Sequence, residues 1–219
     1  MKARILLVLS AVFALCLATS IGHTAMQDDI DRAVAIVERF GEIPEKAIPP
    51  RVLRDARGVA ILTITKAGFV VSGRGGSGII VARTQKGWSA PSAIGTGGIG
   101  VGFQAGVQVS EYVIILNTEE AVKAFSQGSN VTLGANLSAA IGPIGRSAEA
   151  GAAPQAAVYT YSRSQGIFAG VSLEGTVIAT RYQANEEYYG KPVYVSDILA
   201  GDVKPPDSAK KLIQVLSKY

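Results

Sequence analysis

Residues 66–116 read KAGFVVSGRGGSGIIVARTQKGWSAPSAIGTGGIGVGFQAGVQVSEYVIIL, and this passage decides the fold. Between Gly98 and Ser110, Ile99, Val101, Phe103, Ala105, Val107 and Val109 alternate with glycine, glutamine and serine. Successive strand side chains point to opposite faces, so a period of two places every apolar group on one side. The other side is nearly bare. Glycine weakens a strand, so its repetition there points to a tight bend or to another backbone pressed close. Residues 69–72 and 79–83 predict two further strands, joined by a wide turn over Gly73-Arg74-Gly75-Gly76-Ser77-Gly78 with Arg74 at its tip.

The spacing of Gly73, Gly75 and Gly78 also satisfies G-x-G-x-x-G. That fingerprint holds a pyrophosphate only where a strand enters a helix. Ile79-Ile80-Val81-Ala82 favour a strand instead, and no acidic residue stands about 20 positions on, where the ribose contact belongs. The match is accidental, and no cofactor is implied.

Outward from this core, residues 28–40 predict a helix. Ile30, Ala33, Val34, Val37 and Phe40 form its apolar stripe, acidic residues sit in its first turn, and Gly41 closes it. Residues 51–57 predict a short second helix after Pro49-Pro50, with Arg51, Arg54 and Arg57 spread over one basic arc. Residues 58–65 start the sheet, and Gln85-Lys86-Gly87 is a turn. Asn117-Thr118-Glu119-Glu120 predicts a capped helix start with Glu at its third position. Further strands are expected over 130–139, 157–163, 166–173 and 176–182. Residues 164–181 faintly echo 66–83. Short helices at 185–189, 197–200 (capped by Ser196) and 207–216 finish the chain. The expected class is α+β: a glycine-rich, mostly antiparallel sheet or partly closed barrel, flanked by an N-terminal helix and short C-terminal helices.

At 219 residues, 17% of them charged, the chain suits one domain with a proper core. Met1-Lys2-Ala3-Arg4 followed by the apolar run 5–18 has the form of a secretory signal, and residues 1–25 are assigned to it, with 26–219 as a single domain. Cleavage is expected between Ser20 and Ala25, and the domain in a bacterial periplasm or cell envelope. Cys16 follows bulky Leu15, where a lipoprotein signal has a small residue, so lipidation is the lesser reading. Processing removes the single cysteine and removes or leaves frayed the single histidine, His23. Cysteine nucleophiles, Ser-His-Asp triads and zinc sites built on Cys or His are then excluded. Loss of Lys2 and Arg4 lowers the formal net charge from +4 to +2, so nucleic acid is not an expected partner.

No serine motif survives inspection. Ser77 lacks the G-x-S-x-G frame, and Ser208-Ala209-Lys210-Lys211 lacks the companions of S-x-x-K. Glycine-loop N–H groups with arginine and lysine nearby make an anion or phosphate site. The candidate residues are Arg51, Arg54, Lys66, Arg74, Gly75, Gly76, Arg83, Lys86, Trp88 and Arg146. Trp88 reads as a core anchor in preference to an exposed interfacial ring.

The run from Ile48-Pro49-Pro50 through AGFVVSGRGGSG, WSAPSAIG and VGFQAGVQVSEYVIILN to NVTLGANLSAAIGPIGR and YSRSQGIFAGVSLEG resembles the SYLF domain family. This lipid-binding family is known in fungi as an actin-binding domain of endocytic patch proteins. The resemblance covers roughly residues 28–200. It implies phosphoinositide or acidic-lipid binding without catalysis. Eukaryotic members carry a basic amphipathic helix where residues 28–40 are acidic here, and a secretory signal would put cytosolic actin out of reach. The expected partner is an anionic phospholipid or membrane surface. The alternative is a structural or assembly protein, pairing with itself or another protein through glycine-rich β surfaces.

Overall fold

The computed structural model describes residues 25–42, 48–128, 130–133, 137–141, 156–166 and 176–219. The leader segment, the loop with Arg146 and the strand expected over 166–173 lie wholly or mostly outside these, as does half of the echo of residues 66–83.

The elements in order are α1 (Ala25–Glu42), α2 (Pro50–Asp55), β1 (Gly58–Thr84), β2 (Gly87–Trp88), β3 (Ser92–Leu116) and α3 (Glu119–Ser126). Then come β4 (Val131–Thr132), β5 (Ala139–Ile141), β6 (Val158–Gly166), β7 (Val177–Thr180), α4 (Tyr182–Tyr189), α5 (Val195–Ala200), a 3-10 turn (Asp207–Ala209) and α6 (Lys210–Leu216). The sheet runs β2-β1-β3-β6-β5, with β7 pairing to β3 and β4. Only the β5–β6 pairing is parallel among these strands. The fold is α+β, a curled and mostly antiparallel half-barrel, as the sequence predicts.

The expected turn over residues 73–78 is not there. β1 passes straight through it, with Gly73 opposite Ile99, Arg74 opposite Gly98 and Gly78 opposite Ile94 on β3. None of these glycines has a positive φ; the reversal comes later, where Gly87 adopts φ 109°. The glycines serve a bend instead. Between Phe69 and Val71 the ladder shifts, so that β3 takes four steps (Val101 to Ala105) while β1 takes two. The extra residues let β3 follow the outside of the curve. β1 then folds back along itself. A Cβ on Gly78 would lie 1.9 Å from the Ile61 carbonyl oxygen, and one on Gly76 2.8 Å from that of Thr63. The Arg83 N–H donates to the Arg57 carbonyl across 2.8 Å.

Helices cover both faces of the bent ribbon. Val59, Ile61, Ile79, Val81, Val113 and Ile115 pack with Met26, Ile30 and Val37 of α1 and with Leu212 and Leu216 of α6. Ala60, Leu62, Ile80, Ile114 and Leu116 pack with Phe125 of α3 and Leu199 of α5. Double-sided burial accounts for the unbroken apolar runs at 59–62, 79–82 and 112–116.

Other local expectations shift by small amounts. Thr118 alone caps α3, accepting from the Ala121 N–H at 3.1 Å, while Asn117 Nδ2 donates to the Ala156 carbonyl. The third position of the helix is therefore Ala121 and no capping glutamate is present there. Tyr194, not Ser196, precedes α5, which Gly201 closes in the left-handed conformation. The expected strand over 130–139 is broken into β4, a bridge between Leu133 and Leu137, and β5.

Candidate anion-binding surfaces

The sequence gathers its basic candidates into one cluster; the unbroken run of β1 through residues 73–78 divides them between two places. Arg83, Lys86, Trp88, Arg51 and Arg54 lie at the hairpin end with Arg57. Arg74, Gly75 and Gly76 lie on the glycine-rich stretch, seven residues and more away from Arg83 along β1.

At the hairpin end Arg83 is fixed from three sides. Its Nε donates to the Ala56 carbonyl and a terminal nitrogen to the Leu53 carbonyl, both at 3.1 Å, so it takes up carbonyls freed where α2 ends. The guanidinium lies 4.2 Å from the centre of the Trp88 ring, a cation–π contact. Trp88 itself is buried in the core beneath it, which fits the core anchor and not an exposed interfacial ring. Burial holds the Arg83 guanidinium below the usual arginine range, nearby Arg57 pushes the same way, and Asp55 opposes them. Arginine nonetheless stays charged.

Two adjoining hollows open beside Arg83. One, of about 340 Å³, is lined by Arg57, Glu119, Lys123, Ser126 and Ser196 among others. The second, of about 370 Å³, adds Lys86 and Asp202. Arg83, Leu199 and Ala200 border both, so they form one groove with four cations against two carboxylates. Arg57, Lys86 and Lys123 make no ion pair among the described residues. Arg51 and Arg54, exposed on α2, share Asp55 at 3.5 and 3.8 Å.

On the glycine-rich stretch Arg74 is exposed and lies across Gly98, where a Cβ would sit 2.9 Å from its Nε. Lys66 is half-buried, opposite Gln108. Gly75 and Gly76 border a separate cleft with Arg32 and Arg181. Both of these arginines bind Asp29, whose side chain is fully buried; Arg181 does so at 2.7 Å. Ser77 donates to the same carboxylate at 2.6 Å. The sequence reading passed over Asp29, Arg32, Lys123 and Arg181. Asp29 looked like ordinary helix-dipole complement; the mismatch of a charge on the edge of the apolar stripe beside Ile30 and Ala33 was the available signal.

Residues 97–219 match the Ysc84 family, described as "Las17-binding protein actin regulator". The chain belongs to this family. It is 47% identical over 202 residues to human SH3 domain-containing YSC84-like protein 1, covering 89% of this chain and 59% of that protein. The Xenopus laevis protein of that name is 46% identical over 203 residues, with 89% and 61% covered. LAS seventeen-binding protein 3 of Saccharomyces cerevisiae is 50% identical over 177 residues, covering 78% of this chain and 39% of the yeast protein. This member of the Ysc84 family therefore spans at most about three fifths of these relatives. The relatives bear the names of binding and SH3-containing proteins, and the family that the SYLF-like motifs implied is the one found. No support emerges for setting actin aside as a partner.

Proposed function

We propose that this domain is a non-enzymatic binding module that engages anionic, phosphate-bearing lipid headgroups through the groove around Arg83. The carrying observation is charge crowding. Arg57 and Arg83 approach closely enough for one to disfavour the charge of the other, and Lys123 and Lys86 border the same groove. An anion seated there relieves that repulsion, and a pinned guanidinium offers its remaining N–H groups without further ordering. Arg51 and Arg54 extend the positive surface toward a membrane. Arg74 and Lys66 belong to the same hypothesis as a second contact along the sheet.

The test is co-sedimentation with vesicles of phosphatidylcholine, with and without phosphatidic acid. Binding is expected only with the acidic lipid, and it should weaken as salt rises. Arg57→Glu with Lys123→Glu should abolish it while leaving the unfolding temperature intact. Undiminished binding by that double variant removes the groove from the proposal, and undiminished binding by Arg74→Glu with Lys66→Glu removes the second contact.

A protein partner is the second reading. Val107 and Val109, 58% and 38% exposed on β3, with Val177 at 39%, present apolar surface that a packed core does not use. The family description names Las17 and actin regulation, so co-sedimentation with actin filaments and light scattering for self-association are the matching assays. For location, we propose the cell envelope, on the strength of the leader-like residues 1–25. An intact Met1 on mature protein from the native host overturns it.

A further inference from the structure

We infer that the cleft between α1 and the glycine-rich part of β1 is a carboxylate-binding site, distinct in charge from the groove around Arg83. Asp29 is its keystone. It accepts from Arg32, Ser77 and Arg181, one partner from α1 itself, one from β1 and one from the residue leading into α4. Held by its three partners, this buried carboxylate orients two guanidiniums that remain half and one-third exposed.

Arg32 and Arg181 line a cleft of about 510 Å³, and Arg181 with Gly76 also lines a second of about 460 Å³, both within the range of small-ligand sites. The polar residues Thr63 and Thr65 line the first cleft and Asn130 the second. No carboxylate lines either cleft among the described residues. Two arginines against one buried aspartate leave a single positive charge. That matches a monovalent carboxylate, whose two oxygens suit forked guanidinium donors. The groove around Arg83 carries an excess of two and suits phosphate better. Glycine matters here as open wall: a Cβ on Gly75 would meet nothing within 4 Å, so the bare backbone leaves room for the ligand.

Gly75→Leu gives a steric test that leaves every arginine in place, and Arg32→Gln gives an electrostatic one. The readout is the Nε–Hε NMR signals of Arg32 and Arg181 during titration with sodium acetate, then benzoate, at constant ionic strength. The expected result is a saturable shift at both arginines, with apparent affinity lowered about tenfold or more in each variant, by loss of a charge-assisted contact in Arg32→Gln and by filling of the cleft in Gly75→Leu. Wild-type-like unfolding in chloride shows that Gly75→Leu is folded. A non-saturating response, equal affinity in wild type and Gly75→Leu, or tighter binding of inorganic phosphate than of acetate at these two signals overturns the assignment. Repeating the titration in the Arg57→Glu, Lys123→Glu variant separates the two sites. Acetate binding should persist there even if vesicle binding is lost.

Discussion

Replacing Gly78 with alanine adds one methyl group at the tightest backbone contact found on β1. Its Cβ would stand 1.9 Å from the Ile61 oxygen and 2.8 Å from the Ile61 carbonyl carbon and the Leu62 Cα. Comfortable carbon–oxygen contact begins beyond about 3 Å, so the two limbs of β1 must part by roughly 1 Å or more. The obstacle is backbone with helices packed on both sides, so no side chain can swing away. Overpacking of this kind costs about 1–3 kcal/mol in a well-packed core, and we expect the upper end, about 3 kcal/mol. For a domain of this size that lowers the unfolding temperature by about 6–12 °C. Gly75→Ala is the internal control. Its Cβ meets open space, so reducing unfolded-chain entropy should stabilise by about 0.4–1 kcal/mol. Urea unfolding of both variants, followed by circular dichroism, gives the difference directly. If residues 73–78 formed an exposed turn, both alanines would behave alike. Gly78→Ala within about 0.5 kcal/mol of wild type, a change typical of surface sites, refutes the folded-back strand.

Asp29→Ala should destabilise by about 2–3 kcal/mol, less than the 3–5 kcal/mol of a fully buried pair because both arginines can still reach water; urea unfolding measures it. Thr118→Ala removes the oxygen that caps α3 and should cost about 1 kcal/mol by the same measurement. Burial raises the hydroxyl pKa of Tyr161 and Tyr189 above the usual tyrosine range. Each therefore stabilises fully below the unfolded-state value near 10. That contribution declines as pH rises beyond it, because the unfolded chain releases protons that the folded one keeps. Stability measured from about pH 9 to 11.5 should fall, and fall less steeply in Tyr161→Phe; an unchanged slope counts against burial of that hydroxyl.

What the sequence disclosed, and what it hid, divides along sequence separation. The stripe of Ile30, Ala33, Val34 and Val37 is a local period, and the structure buries all four. Leu212, Val215 and Leu216 of α6 follow the same local period and are buried as well. The glycine-rich hexapeptide was misread because Gly73, Gly75 and Gly76 carry no side chains to record which partner they face. A turn and a close crossing of strands call for the same residue. Only the pairing of each with β3 distinguishes them, and that is a tertiary fact. Asp29 shows the limit more sharply: one of its partners lies 48 positions away and another 152, and no periodicity connects them.

The continuation of β1 through residues 73–78 explains why one basic cluster became two surfaces of different character. Had β1 turned back at residues 73–78, Arg74 and Arg83 would have flanked a single loop and summed their charge. A strand that continues through the glycines carries Arg83 onward to the end of α2, where carbonyl groups and Trp88 hold it among other cations. It leaves Gly75 and Gly76 facing α1, where a buried carboxylate offsets half of the charge of the two arginines. Net charge over the chain is nearly balanced and predicts little about binding. Its partition by the fold, an excess of two in one place and of one in another, is what the proposed preference of each surface for a different anion rests on.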